Sequence, residues 1–267
     1  MSFLTRIAPP MVFGSRRAAL LVERNIYVYR RTWLVIFSGF FEPLFYLLSI
    51  GLGIGGLIGT IPGPDGRPIP YELFVAPALL ATSAMNGAIY DSTFNVFFKL
   101  NYEKTYDAVL ATPLGVGDVA LGEIAWALIR GTMYAIGFLA VMLVLGLVVS
   151  PWMIFAIPAA ILIGWAFAAV GMAATTFMRT WQDFDLLQLV LLPLFLFSAT
   201  FYPISVYPDP IQTFVQLTPL YHGVDLLRSL ATGTVGLSSL VHVAYLLVMG
   251  LVGLAIVSRR LDKLLLK

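Results

Sequence analysis

Met153-Ile-Phe-Ala-Ile-Pro-Ala-Ala-Ile-Leu-Ile-Gly-Trp-Ala-Phe-Ala-Ala-Val-Gly-Met-Ala-Ala-Thr-Thr-Phe-Met178 contains no charged residue. A helix needs about 20 mostly apolar residues to cross the hydrocarbon core of a bilayer, and this stretch exceeds that. Five more qualify on either side of it: 34–57, 73–98, one within 119–149, 186–206 and 237–257. Their apolar runs are continuous rather than alternating, which predicts helices and not a barrel. The expected fold is therefore all-α and integral to the membrane, with six transmembrane helices in one domain over 34–258.

Composition excludes several other classes. Of 267 residues, 60% are hydrophobic and 11% are charged, against about 25% charged in soluble domains. A net charge of +2 does not mark a nucleic-acid binder. The absence of cysteine rules out a disulfide framework, a zinc–thiolate site and a thiol nucleophile.

Basic residues set the expected orientation. Arg6, Arg16, Arg17, Arg24, Arg30 and Arg31 precede the first apolar stretch. Lys99 and Lys104 follow the second and Arg179 the fourth, and Arg259, Arg260, Lys263 and Lys267 fall in a basic tail over 259–267. Those alternate connections hold 13 of the 16 Lys and Arg. The others hold Arg67 and Arg228, and Arg130 lies inside the third stretch. Both termini are expected in the cytoplasm of a multi-pass inner-membrane protein. The N-terminus does not read as a cleavable signal, because its basic residues spread over some thirty positions before any apolar run.

Within the cytoplasmic segment 1–33, residues 15–32 read as an amphipathic helix. At about 100° per residue, Ala19, Val22, Ile26, Tyr29 and Trp33 share one arc, with Arg16, Arg17, Arg24, Arg30 and Arg31 opposite. Such a helix is expected in the interface, its apolar arc in lipid.

Three connections have their own character. The outer loop at 58–71 holds Pro62, Gly63, Pro64, Asp65, Gly66, Pro68 and Pro70, and is expected to have little regular structure. The inner connection at 99–118 can form a short helix over 102–111, closed by Pro113, with Asp118 as N-cap of the next span. It could receive force from a soluble partner or serve as a plain connector. The outer segment 202–236 carries Pro203, Pro208, Pro210 and Pro219 among many apolar residues. It predicts short re-entrant helices, with Asp225 and Arg228 paired at i, i+3.

Charges inside the apolar stretches cost about 2.5–3.5 kcal/mol each if exposed to lipid at mid-depth. Glu42 and Asp91 both fall some 12–14 Å in from the cytoplasmic boundary at about 1.5 Å per residue. Arg130 lies deep enough to pair with one of them, which predicts an internal Glu42/Asp91/Arg130 cluster. Small residues at four-residue spacing, Gly51, Gly55 and Gly59, then Ala160, Gly164 and Ala168, predict close helix packing. His222 and His242 have no second ligand type at metal spacing, so no metal is expected. No phosphate-binding loop and no Gly-x-Ser-x-Gly elbow occur. Any energy from ATP would come from another subunit.

Tyr102-Glu-Lys-Thr-Tyr-Asp-Ala-Val-Leu-Ala-Thr-Pro-Leu114, followed by Asp118-Val-Ala-Leu-Gly-Glu-Ile-Ala-Trp126, resembles permeases of the type-2 ATP-binding-cassette exporter family. The lipo-oligosaccharide (nodulation factor) exporter subgroup is the nearest in pattern. Phe41-Glu-Pro-Leu-Phe-Tyr-Leu-Leu-Ser-Ile-Gly51 and Pro219-Leu-Tyr-His-Gly-Val-Asp-Leu-Leu-Arg228 extend the resemblance over nearly the whole chain. It implies a permease that dimerises and binds two copies of a separate P-loop ATPase, with ATP and Mg on that ATPase and no cofactor on this chain. Tyr102, Glu103, Lys104, Tyr106, Asp107, Val109 and Leu110 would couple to the ATPase. Pro219, His222, Asp225 and Arg228 would belong to the outer gate. Phe40, Phe41, Phe195, Phe197 and Phe201 would line a conduit for an amphipathic cargo such as a lipo-oligosaccharide, glycolipid or drug. Two other classes stay open: a proton-coupled secondary transporter using Glu42 and Asp91, and an integral-membrane enzyme acting on lipids.

Overall fold

The computed structural model describes residues 17–30 and 41–265. Helix α1 is Ala18–Tyr29. Helix α2 is built of three consecutive pieces, Phe41–Tyr46, the wider π-helical Leu47–Ile54, and Gly55–Ile58. Then come α3 (Tyr71–Asn101), α4 (Thr105–Leu110), α5 (Val116–Val144) and α6 (Pro151–Thr175). The chain ends with α7 (Asp183–Leu196), α8 (Asp209–Leu217), α9 (Pro219–Thr232) and α10 (Leu237–Leu265). Four of these, α3, α5, α6 and α10, are long and apolar enough to cross a membrane.

Helix α3 forms the centre of the bundle. Every residue from Leu73 to Met85 is buried, and small side chains at Ala76, Ala78, Ala81, Ala84 and Ala88 let α5, α6 and α9 approach it. The stripe at Gly164 and Ala168 serves this packing: a Cβ on Gly164 would sit 3.4 Å from Leu128 of α5 and 3.7 Å from the Ala84 carbonyl. The tightest seam is α6 on α10, where a Cβ on Gly250 would lie 2.2 Å from the Trp165 ring. Gly250→Ala is therefore expected to cost about 1–3 kcal/mol by overpacking, read as a lower unfolding temperature of the solubilised protein.

Several expectations from the sequence are corrected here. The loop at 58–71 is an antiparallel hairpin, β1 (Thr60–Pro62) on β2 (Pro68–Pro70), with Ile61 opposite Ile69. Pro62, Pro68 and Pro70 occupy strand ends of a two-stranded ribbon, where a missing N–H costs little, and Pro64 and Gly66 (φ 78°) lie in the turn. The fifth apolar stretch, expected to run to 206, is helical only to Leu196, and the chain turns through a left-handed Ala199 (φ 53°). At about 1.5 Å per residue, α7 rises only ~21 Å. Pro193 has already removed one hydrogen-bond donor from its last turn. Asp118 is the third residue of α5, not its cap. Its carboxylate accepts the Gly115 N–H at 3.0 Å, the reciprocal half of a capping box. The helix expected over 102–111 begins only at Thr105, after a left-handed Lys104 (φ 52°).

Helix α1 uses two faces. Ala18, Leu21 and Asn25 are buried, and Leu21 lies so close over α5 that a Cβ on Gly122 would be 2.7 Å from the Leu21 Cβ. Ala19 and Ile26, on the arc expected in lipid, are exposed. Trp33 lies outside the described residues.

Candidate functional site

The described charged side chains inside the bundle gather in three polar groups. Where α1, the end of α3 and the start of α5 meet, Lys99 Nζ donates to both oxygens of Glu123 at 2.9 and 2.7 Å and to Asn25 Oδ1 at 3.0 Å. Asn25 Nδ2 donates to Glu123 Oε2 at 3.2 Å. Side-chain exposure is 8% for Lys99 and 2% for Glu123, so neither ion can turn to water. Tyr106 of α4 sits beside them, its ring 1% exposed. Burial, and then the Glu123 carboxylate, pushes its phenol well above the ordinary range.

Tyr106 thus faces inward, while Tyr102, Glu103, Lys104 and Asp107 are exposed and Val109 and Leu110 are half-buried against the core. Glu103 accepts from the Thr105 hydroxyl at 3.0 Å, which fixes the first turn of α4. Four exposed polar side chains on one short segment therefore flank a buried tyrosine that lies beside the Lys99–Glu123 pair.

Deeper in the bundle, Arg130 Nη1 donates to Asp91 Oδ1 at 2.6 Å and Nη2 to Tyr134 Oη at 2.8 Å. Asn95 also donates to Asp91, and accepts from Tyr29 Oη of α1 at 2.7 Å. The structure brings Asp91 and Arg130 together; the Glu42 side chain and Phe40 lie outside the described residues. Of the aromatic set, Phe195 meets Phe201 edge-on at 5.1 Å and Tyr46 of α2 at 5.6 Å. Phe41 packs on Phe45, and Phe197 turns away to Tyr207.

At the outer segment, Asp225 and Arg228 do not pair with each other. The Asp225 carboxylate takes His242 Nε2 at 2.9 Å, and the His242 Nδ1 meets His222 Nδ1 at 2.8 Å. If His242 Nε2–H donates to Asp225, its Nδ1 accepts the His222 Nδ1–H. Pro219 opens α9 at its first position, where no donor is lost. The Arg228 guanidinium is buried: it donates to the carbonyls of Ala199 at 2.8 Å and Phe74 at 3.3 Å and stacks 3.7 Å over the Phe74 ring. Burial pulls its pKa down to about 10, still charged at neutral pH.

Burial and then His242 hold His222 down at about 4, below its ordinary 6.5. Between those values the unfolded chain binds a proton that the folded chain refuses, so stability falls as pH drops from 6.5 towards 4. Thermal melts of the solubilised protein across that window should show this decline, and His222→Gln should flatten it.

Sequence reasoning missed the first group. Glu123 obeys the rule applied to Asp91, since it is an acid inside an apolar stretch. Asn25 had the weaker signal of a polar residue on the packed side of α1.

An ABC-2 type transporter family model matches residues 17–232. The chain belongs to the ABC-2 type transporter family. It is 32% identical over 222 residues to Nodulation protein J of Rhizobium leguminosarum bv. trifolii, covering 82% of this chain and 83% of the relative. It is 30% identical to Nodulation protein J of Rhizobium meliloti (strain 1021), covering 83% and 82%. Identity is 25% with that of Azorhizobium caulinodans, over 91% and 96%. No solved structure matches. As an ABC-2 type transporter with four membrane-length apolar helices, the chain is a multi-pass membrane protein and a transport subunit.

Proposed function

We propose that this ABC-2 chain is the permease of an exporter powered by a separate P-loop ATPase, two copies of each forming the working complex. Both termini lie in the cytoplasm of an inner-membrane protein whose α2 and α7 complete six spans, with α8 and α9 re-entrant at the outer face. Segment 99–118 docks in the ATPase, which holds the ATP and Mg. The cargo is amphipathic: a lipo-oligosaccharide, another glycolipid or a drug. It passes along Phe41, Phe195 and Phe201 beneath a gate at Pro219, His222, Asp225 and Arg228.

One observation carries this reading. The exposed Glu103, Lys104 and Asp107 flank Tyr106, which is buried beside the Glu123 of the Lys99–Glu123–Asn25 group. A push on α4 is thereby delivered to α1, α3 and α5 together. The Asp91–Arg130 pair, closed by Asn95, supports a structural role for Asp91 rather than a proton relay.

Gentle solubilisation should co-purify the chain with a P-loop ATPase. Glu103→Ala/Asp107→Ala should keep the permease folded while abolishing transport and transport-stimulated ATPase activity; undiminished stimulation would overturn the docking assignment.

A further inference from the structure

Two clefts open side by side at the end of the bundle where α3 and α6 finish. The first, about 700 Å³, lies between α6 and α7, with Ile89 of α3, Met249 of α10 and Pro219 of α9 also in its wall. Apart from Arg179, Thr180 and Asp183 at one end, its lining is entirely apolar. The second, about 640 Å³, is lined by Lys104, Arg179 and Arg260 with one carboxylate, Asp107. They share Phe177, Met178 and Arg179, so the apolar cleft runs directly into the cationic one.

We infer that these joined clefts bind one anionic phospholipid, its acyl chains between α6 and α7 and its headgroup among Lys104, Arg179 and Arg260. Charge complementarity identifies this occupant. Three cations against one carboxylate leave a net +2 lining, and among the described residues none of the three forms an ion pair. Asp183, the nearest acid at the mouth, is engaged by the backbone N–H groups of Arg179 at 2.7 Å and Thr180 at 3.0 Å. Arg260 is held in place by donating to the Thr176 carbonyl at 3.0 Å and stacking 4.1 Å from Phe177, yet its buried Nε has no acceptor. A phosphodiester supplies the missing counter-charge, and helix ends are the depth at which headgroups lie. The site requires only that the helices span a bilayer. Lys104 and Asp107 belong both to this cleft and to the proposed docking segment, so the test rests on Arg179 and Arg260, which the docking assignment does not use; this lipid is a resident rather than the cargo.

Native mass spectrometry of the full-length chain, titrated with phosphatidylglycerol and phosphatidylcholine of identical acyl chains, tests it. Phosphatidylglycerol should bind about tenfold more tightly. Arg179→Gln and Arg260→Gln should each weaken it about fivefold, the value of roughly one surface charge, and Arg260→Lys should recover most of the loss. Arg179 makes its described contacts through the backbone, so its substitution tests the site even if Arg260→Gln fails to fold. Ala174→Phe, filling the apolar cleft, should weaken both lipids. Equal affinity for the two lipids, or indifference to both arginine changes, would overturn the inference. So would displacement by millimolar inorganic phosphate. A Leu186→Cys variant of this cysteine-free chain that cross-links to its copy across the cleft would show instead that a second protomer covers it.

Discussion

Lys99→Met alone should destabilise the protein by about 3–5 kcal/mol, because it strands the Glu123 carboxylate in the bundle without a counter-charge. The desolvation cost of that ion is met in the folded state by Lys99 Nζ at 2.7 Å and by Asn25. Replacing both ions, Lys99→Met/Glu123→Leu, should recover most of the stability, since a packed apolar pair is often as good as a buried salt bridge. If the group also transmits force from α4, the refolded double variant should bind the ATPase yet transport poorly. Thermal unfolding of the solubilised protein gives the first result, and transport in reconstituted vesicles the second. A stable, fully active double variant would reduce the group to scaffolding.

Arg228→Ala is expected to cost about 2–4 kcal/mol, through the orphaned carbonyl of Ala199 at about 1–3 kcal/mol and the lost stacking on Phe74 at up to roughly 2. The Ala199 carbonyl belongs to a buried residue in a left-handed conformation, at the point where α7 breaks. Arg228 therefore ties α9 both to that break and to the centre of α3. Lysine should rescue little, because a single ammonium cannot lie flat on the ring while reaching two carbonyls. Unfolding temperatures of Arg228→Ala and Arg228→Lys check this, and near-wild-type stability in either would contradict the pinning role.

Much of this was readable in the residues. Continuous apolar runs mark membrane helices, and the shared depth of Glu42 and Asp91 offers Arg130 an acidic partner, of which the structure shows Asp91. Other features required tertiary context. Lys99 reads as a loop charge by position, and only the end-on meeting of α1, α3 and α5 shows it to be buried. The turn at Ala199 is tied to an arginine twenty-nine residues away, and apolar composition alone continues the span to 206. His222 and His242 stand twenty residues apart on two helices, beyond any local spacing rule. The hairpin escaped because prolines that veto a central strand are harmless at the ends of a ribbon.

Residues Asp91–Asn95 form a π-helical turn within α3. Such a turn accommodates one residue more than the α-helix around it. One residue is about 100° of rotation, so this turn sets the phase of everything that follows it on α3. It presents Asp91 to Arg130 while Ser92 lies on Gly171 and lends its carbonyl to the Thr175 hydroxyl at 3.1 Å. Without the extra residue, Lys99 would be carried about a quarter-turn around the axis, out of line with Glu123. The widened turn is the gear tooth that aligns the deep ion pair and the shallow one on a single shaft.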